Sequence, residues 1–307
     1  MKLVVTRECN RAWSYCFAKR RMVQWQRKEE KEVSNVSVRD VEYFLSFLSA
    51  SGIQEFRILG GEPSLHPEFV EIVQLGLKRG FEIFVFTNGL WPDSVQRFFD
   101  QCQDGRIRFI FNLNEPETET LWENDRQKRS LEIVGGRGSI GFNMYRSNFD
   151  LKFVVDIADT FSLKRAVRIG LAQPIVRKQN DYLNSEELRA AGKRLAEQLE
   201  MLEERDVIAS LDCGFTYCMF DPDDWGKLVR CTAGGLVSHC SPVIDVAPDL
   251  SVWPCYPLDE ILNVRLTDFR NCNALIGYYE RKMAPLRAFG TMDACLKCKY
   301  LRRLQCC

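Results

Sequence analysis

Six short runs of β-branched, aromatic and aliphatic residues alternate with stretches of helical spacing over the first 175 residues. No other feature restricts the fold as strongly. The runs are centred on residues 2–6, 56–59, 82–87, 107–113, 139–144 and 165–170. Between them, residues 37–50 carry Val38, Val41, Phe44, Leu45 and Leu48 on one helical face, with Ser37 placed to cap the start. Helices are also predicted at 67–79, with Pro67 near the start and Gly80 after the end, at 93–102, within 117–133 and near 149–160. Strand followed by helix, six times over, implies parallel strands joined by right-handed crossovers. The expected fold is α/β, an open (β/α)6 partial TIM-type barrel over residues 1–180. A charged amphipathic helix at 185–205 reads as part of a helical connector, 181–212. A cysteine-rich region, 213–307, follows.

Parallel α/β folds place their chemistry at the carboxyl ends of the strands. The conspicuous polar segments fall there: Cys9–Cys16, Gly60–Pro63, Thr87–Gly89 and Asn112–Glu115. Of thirteen cysteines, ten lie at or beyond residue 213, whereas the histidines are only His66 and His239. Thiolate rather than imidazole ligation is therefore indicated, which suits iron–sulfur clusters or zinc. Lys+Arg and Asp+Glu both total 42. The zero net charge argues against a nucleic-acid groove. No apolar run reaches the roughly eighteen residues of a membrane span, and the start is charged too soon for a signal peptide. A cytoplasmic protein is expected, with no membrane or nucleic-acid partner.

Three motifs carry a family resemblance. The segment Thr6-Arg-Glu-Cys-Asn-Arg-Ala-Trp-Ser-Tyr-Cys-Phe17 resembles the C-x3-C-x2-C cluster loop of radical S-adenosylmethionine (SAM) enzymes, with Trp13 where the second cysteine falls. Gly60-Gly61-Glu62-Pro63 ends the second strand, as the GGEP motif of that family does. Asp249-Leu-Ser-Val-Trp-Pro-Cys255 resembles the PDGxVxPC segment of SPASM or twitch extensions, with Leu250 where glycine is usual, and Cys295-x2-Cys298 resembles their later cysteines. Each motif has a plainer reading: an incidental cysteine pair, an ordinary strand–helix turn, a zinc knuckle.

The resemblance implies a 4Fe–4S cluster on Cys9 and Cys16, and SAM on Tyr15, Gly60, Gly61, Glu62, Pro63, Asn88, Asn112 and Arg168. Tyr15 would lie near the adenine, and the glycine turn with Glu62 near the methionine amino group. Asn112 would touch the ribose or carboxylate. Auxiliary 4Fe–4S ligands would come from Cys240, Cys255, Cys295, Cys298 and Cys306, with Cys213 and Cys218 as further candidates. The implied reaction is cleavage of SAM to a 5′-deoxyadenosyl radical, which abstracts hydrogen from a peptide or small protein. An electron donor such as flavodoxin or ferredoxin would supply the electron. Trp13 supports an alternative, an impaired or inactive relative that acts as a SAM- or peptide-binding scaffold. Zinc in the tail is a third possibility.

Overall fold

The computed structural model describes residues 1–16, 18, 34–115, 125–175, 179–287 and 293–298. Seven strands run parallel in chain order: β1 (Lys2–Val4), β2 (Glu55–Leu59), β3 (Glu82–Thr87), β4 (Ile107–Asn112), β5 (Gly138–Met144), β6 (Ala166–Leu171) and β7 (Ile208–Leu211). Between them come α1 (Val38–Ala50), α2 (Phe69–Lys78), α3 (Asp93–Gln101), α4 (Asp125–Val134), α5 (Lys152–Thr160) and α6 (Glu187–Glu204). This is the α/β partial barrel anticipated from the alternation, with one strand more. The helix expected as a connector, α6, is the crossover into β7, which pairs in parallel with β6. Strand β7 is only four residues long and Ile208 within it is exposed, so it carries almost no apolar signal.

Alternation along the strands separates two faces. Phe56, Ile58, Ile83, Val85, Phe109, Phe111, Ile140, Phe142, Val167 and Ile169 are at most 2% exposed and join the apolar sides of the helices in one core. Each such side chain contributes roughly 1.5–3 kcal/mol on burial. Helix α1 meets this core through Val41, Phe44, Leu45 and Leu48, and Ser37 caps it by accepting the Asp40 N–H at 3.1 Å. The opposite face is polar low in the sheet. Arg57 pairs with Glu55 at 2.6 Å and Arg108 with Glu82 at 3.7 Å, and Phe84 lies between the two guanidinium groups. Charged and partly exposed side chains thus line the inner face where a closed barrel would stack apolar layers.

The last third of the chain adds to the first strand. After α7 (Pro222–Cys231), β8 (Asp245–Val246) pairs in parallel with β1, and β9 (Ser251–Trp253) and β10 (Val264–Arg265) follow antiparallel. Lys2 and Asp245 are register partners and ion-paired at 3.4 Å. The turn between β8 and β9 explains the usual glycine of the resembled motif: Leu250 has φ of +62°. Asp249 supports that turn by accepting the Ser251 N–H and hydroxyl at 3.1 and 2.7 Å. Helix α8 (Cys272–Arg287) locks the hairpin from behind, with the Tyr279 hydroxyl donating to the Val252 carbonyl at 2.6 Å.

Candidate functional site

The segment after β1 and the turn after β2 are built as one unit. The Gly61 N–H donates to the Thr6 carbonyl at 2.9 Å, and the Glu62 N–H to the Glu8 carbonyl at 2.7 Å. A Cβ at Gly61 would fall inside the Glu8 carbonyl, so only glycine permits this approach.

Glu62 then ties both segments to the end of β3. Its fully buried carboxylate accepts the Ser64 N–H at 3.1 Å, the Asn88 N–H at 2.7 Å and the Thr87 hydroxyl at 2.9 Å. The Thr87 oxygen accepts in turn from the Gly89 N–H at 3.0 Å and the Trp91 indole at 2.7 Å. Burial drives the Glu62 carboxyl above the usual range, against the downward pull of those hydrogen bonds. A carboxylate removed from water needs such partners. Glu62 therefore turns beneath the loops and does not line the cleft, in contrast to the ammonium-facing role the motif suggested. Pro63, buried at the start of a 3-10 turn, is likewise outside it.

Above this floor lies a cleft at the carboxyl ends of the strands, with about 1160 Å³ of empty space including its solvent-open part. Trp13, Tyr15 and Cys16 form one wall, Gly60 and Gly61 the adjoining turn. Asn88, Asn112 and Asn143 follow along the strand ends. Arg168, Asp212, Cys213 and Cys255 close the far side. The volume and mixed polar lining suit a nucleotide-sized ligand.

Within this cleft several anticipated ligands are committed to the protein. Tyr15 is 4% exposed, its ring stacked between Trp13 at 5.6 Å and Tyr145 at 4.7 Å, and its hydroxyl donates to Asn114 Oδ1 at 2.8 Å. The ring is thus packed against two neighbouring aromatics while still lining the cleft, where the resemblance puts it near the adenine. The Asn88 carboxamide donates to Asn10 Oδ1 and accepts the Leu90 N–H, both at 2.9 Å. Arg168 is ion-paired with Asp212 and lies over Phe86. Asn112 carries no such commitment. Asn143, Asp212 and Gln173 join the lining without having been singled out in the sequence. Only the strand register brings them together. Trp91 and Gln127, which donates to the Asn88 carbonyl at 2.5 Å, support the floor in the same unforeseen way.

The thiols divide into three places. Cys9 accepts the Arg11 N–H at 3.4 Å, and burial, with added repulsion from Glu62 and Cys16, pushes its thiol up to about 11. Cys213 and Cys255 line the far wall, with thiols pushed up by burial to about 11 and about 12, and Cys240 is near enough for its charge to act on both. Cys295 lies in a 3-10 turn, Asp293–Lys297, that is not part of the cleft lining, and Cys298 follows it, its N–H donating to the Cys295 carbonyl at 2.9 Å. Cys306 lies outside the described residues. No group of three or more His, Cys, Asp or Glu side chains gathers as a metal ion would require among the described residues. In the N-terminal loop, two thiols and an indole do not fit a cube that needs three cysteine ligands. No step is derived through such a cluster.

The Radical SAM superfamily model matches residues 3–135. Among curated proteins, the S-adenosylmethionine-dependent nucleotide dehydratase of Selenomonas ruminantium is 29% identical over 90 residues, 29% of each chain. The GTP 3',8-cyclase of Streptomyces coelicolor is 26% identical over 151 residues, 48% of this chain and 43% of that protein. The matched stretch thus spans less than half the length of either relative. Among solved structures, anSMEcpe with bound AdoMet superposes with a TM-score of 0.64 at 15% identity, over 99% of this chain and 87% of that one. Streptococcus suis SuiB bound to S-adenosylmethionine gives 0.62 at 14% identity, over 99% and 71%. At these identities the two structures show the shared fold.

Proposed function

We propose, from a chain whose place in the radical SAM superfamily is supported by the family model and by its structural neighbours, that the cleft binds SAM and presents it to a peptide or small protein. We propose further that the N-terminal loop acts as a binding scaffold and not as the seat of a three-thiolate cluster. One observation carries this reading. Trp13, which falls where the resembled loop carries its second cysteine, lines the cleft and stacks on Tyr15.

SAM, when bound, supplies a sulfonium-activated adenosyl and methionine unit. The backbone of Gly60 and Gly61 would receive its ammonium group, and Asn112 its ribose or carboxylate. Charge pairing in the walls supports a peptide over a polyphosphate substrate. Lys2 is neutralised by Asp245 and Arg168 by Asp212, whereas a triphosphate needs cations to spare. SuiB has been solved with its precursor peptide SuiA, and anSMEcpe with AdoMet and the Kp18Cys peptide. In this reading the tail's thiols are candidate auxiliary iron–sulfur or zinc ligands in two separate groups, Cys213 and Cys255 with Cys240 on the cleft's far wall and Cys295 with Cys298 apart from it.

The retained cleft favours a second reading, a radical enzyme fed by a flavodoxin or ferredoxin. Anaerobic reconstitution with iron and sulfide, followed by calorimetry with SAM and an assay for 5′-deoxyadenosine, separates the two. SAM binding without deoxyadenosine supports the scaffold. Deoxyadenosine formation supports the enzyme. No binding of SAM in any preparation overturns both.

A further inference from the structure

Two asparagines stand over two glycines on neighbouring strands. Asn112 of β4 is the register partner of Gly141 on β5, and Asn143 of β5 is the partner of Gly170 on β6. A Cβ built on Gly141 would sit 2.8 Å from the Asn112 side-chain oxygen, and one on Gly170 would overlap the side-chain oxygen of Asn143. Each carboxamide therefore lies across the bare backbone of the next strand. Asn143 follows Gly141 by two residues, so both side chains rise from the same face of the sheet. Both line the cleft.

No described residue uses these carboxamides. Asn88 and Asn114 are engaged by Asn10, Leu90 and Tyr15. The side chains of Asn112 and Asn143, half-buried, make no hydrogen bond to any described residue. A carboxamide offers two N–H donors and an acceptor oxygen without net charge. Two of them, lying in the room the glycines leave, suit a ligand group that both donates and accepts. The hydroxyl pair of a ribose and the ammonium–carboxylate end of an amino acid share that chemistry.

We propose that Asn143 is a second ligand-binding carboxamide beside Asn112, and that Gly170 is a positioning residue that lays Asn143 flat against the sheet. The assignment rests on the reading that SAM enters this cleft, and it extends that site to β5 and β6.

Calorimetry of the full chain with SAM tests it, using Asn143→Ala, Gly170→Ala and the double variant. Loss of the ligand's hydrogen bonds weakens SAM binding roughly three- to tenfold in Asn143→Ala. Gly170→Ala removes no polar atom, and its new methyl meets only the far end of a flexible side chain, so the fold is retained and a similar loss is expected. The double variant should be no worse than either single one, because both act through one contact. Thermal unfolding of the ligand-free variants checks that the losses are local. Adenosine and methionine serve as separate probes: loss of affinity for adenosine assigns the carboxamide to the ribose, loss for methionine to the amino-acid end. SAM binding by the unsubstituted chain, with Asn143→Ala and Gly170→Ala both within twofold of it, overturns the proposal while leaving the SAM reading intact. Failure of the unsubstituted chain to bind SAM overturns both.

Discussion

Trp13 lies nearly parallel to Tyr15, their ring centroids 5.6 Å apart and their planes inclined by 12°. Tyr15 passes the stack on to Tyr145 at 4.7 Å and anchors itself through Asn114. Neighbouring backbone bonds, Asp181 N–H to Ser14 O at 3.2 Å and Cys16 N–H to Trp13 O at 3.2 Å, hold the same segment. The loop is therefore organised by protein contacts at Trp13, where the resembled cluster loop would carry a thiolate.

Removing the indole should loosen that segment. An aromatic pair contributes about 0.5–1.5 kcal/mol beyond burial, so Trp13→Ala is expected to lower stability by roughly 1–3 kcal/mol, and Trp13→Phe by less. Urea unfolding measures the difference. Equal stability of all three proteins would show that the stack holds nothing.

Replacing Trp13 by cysteine should create the missing third thiol. Reconstituted Trp13→Cys protein is expected to hold more iron and acid-labile sulfide than the parent, with the excess lost when Cys9 or Cys16 is changed to Ala. Identical iron content in parent and variant would show that these three positions do not converge.

Much of this arrangement was legible in the residues themselves. Strong alternation, as in Glu82–Thr87 and Ile107–Asn112, announces a half-buried strand locally. The glycine turn and the cysteine segment were recognisable because their chemistry is written in consecutive letters. Strand β7 was not, since four residues with an exposed isoleucine make no pattern. The inward turn of Glu62 was hidden as well. It depends on Thr87 and Asn88, a strand away, and a motif does not say which side of a turn its carboxylate takes. Asn143 became visible only with the register that sets Gly170 beside it.

Thr87 is the hub beneath the cleft. Thr87→Val would strip Glu62 of a donor and the Trp91 indole and Gly89 N–H of their acceptor. Each stranded buried group costs about 1–3 kcal/mol, so a loss of roughly 3–5 kcal/mol is expected. Thr87→Ser, which keeps the hydroxyl, should recover most of it. A Thr87→Val protein as stable as the parent would show that the hydroxyl is not what holds the floor.

His66 sets an acid limit. Its Nε2–H reaches the Val36 carbonyl at 2.9 Å while Nδ1 accepts the Glu68 N–H at 3.0 Å. A proton on Nδ1 would confront that donor, and burial holds the imidazole below its ordinary range. The unfolded chain therefore binds the proton more readily. This contribution is fully present above about pH 6.5 and is lost as pH falls below it. Urea titrations between pH 5 and 8 should show stability falling toward acid, with a flatter slope in His66→Asn. A slope unchanged by the substitution would assign the effect elsewhere.

At Leu250, two effects oppose each other. Its φ of +62° costs about 1–2 kcal/mol relative to glycine. Its side chain, however, is 6% exposed in the core, and truncating a buried leucine costs about 2–5 kcal/mol. Leu250→Gly is thus expected to lower the melting temperature despite relieving the backbone. A rise would mean that strain dominates.

Because β8 runs alongside β1, the first strand of the barrel is shielded on its outer side by residues from the far end of the chain. Truncation before Asp245 would bare a row of unpaired backbone groups on the barrel's opening strand, a template for intermolecular pairing. The cysteine-bearing tail is in this sense a guard against self-association as well as a wall of the cleft, and shortened versions of the protein should precipitate before they lose their helices.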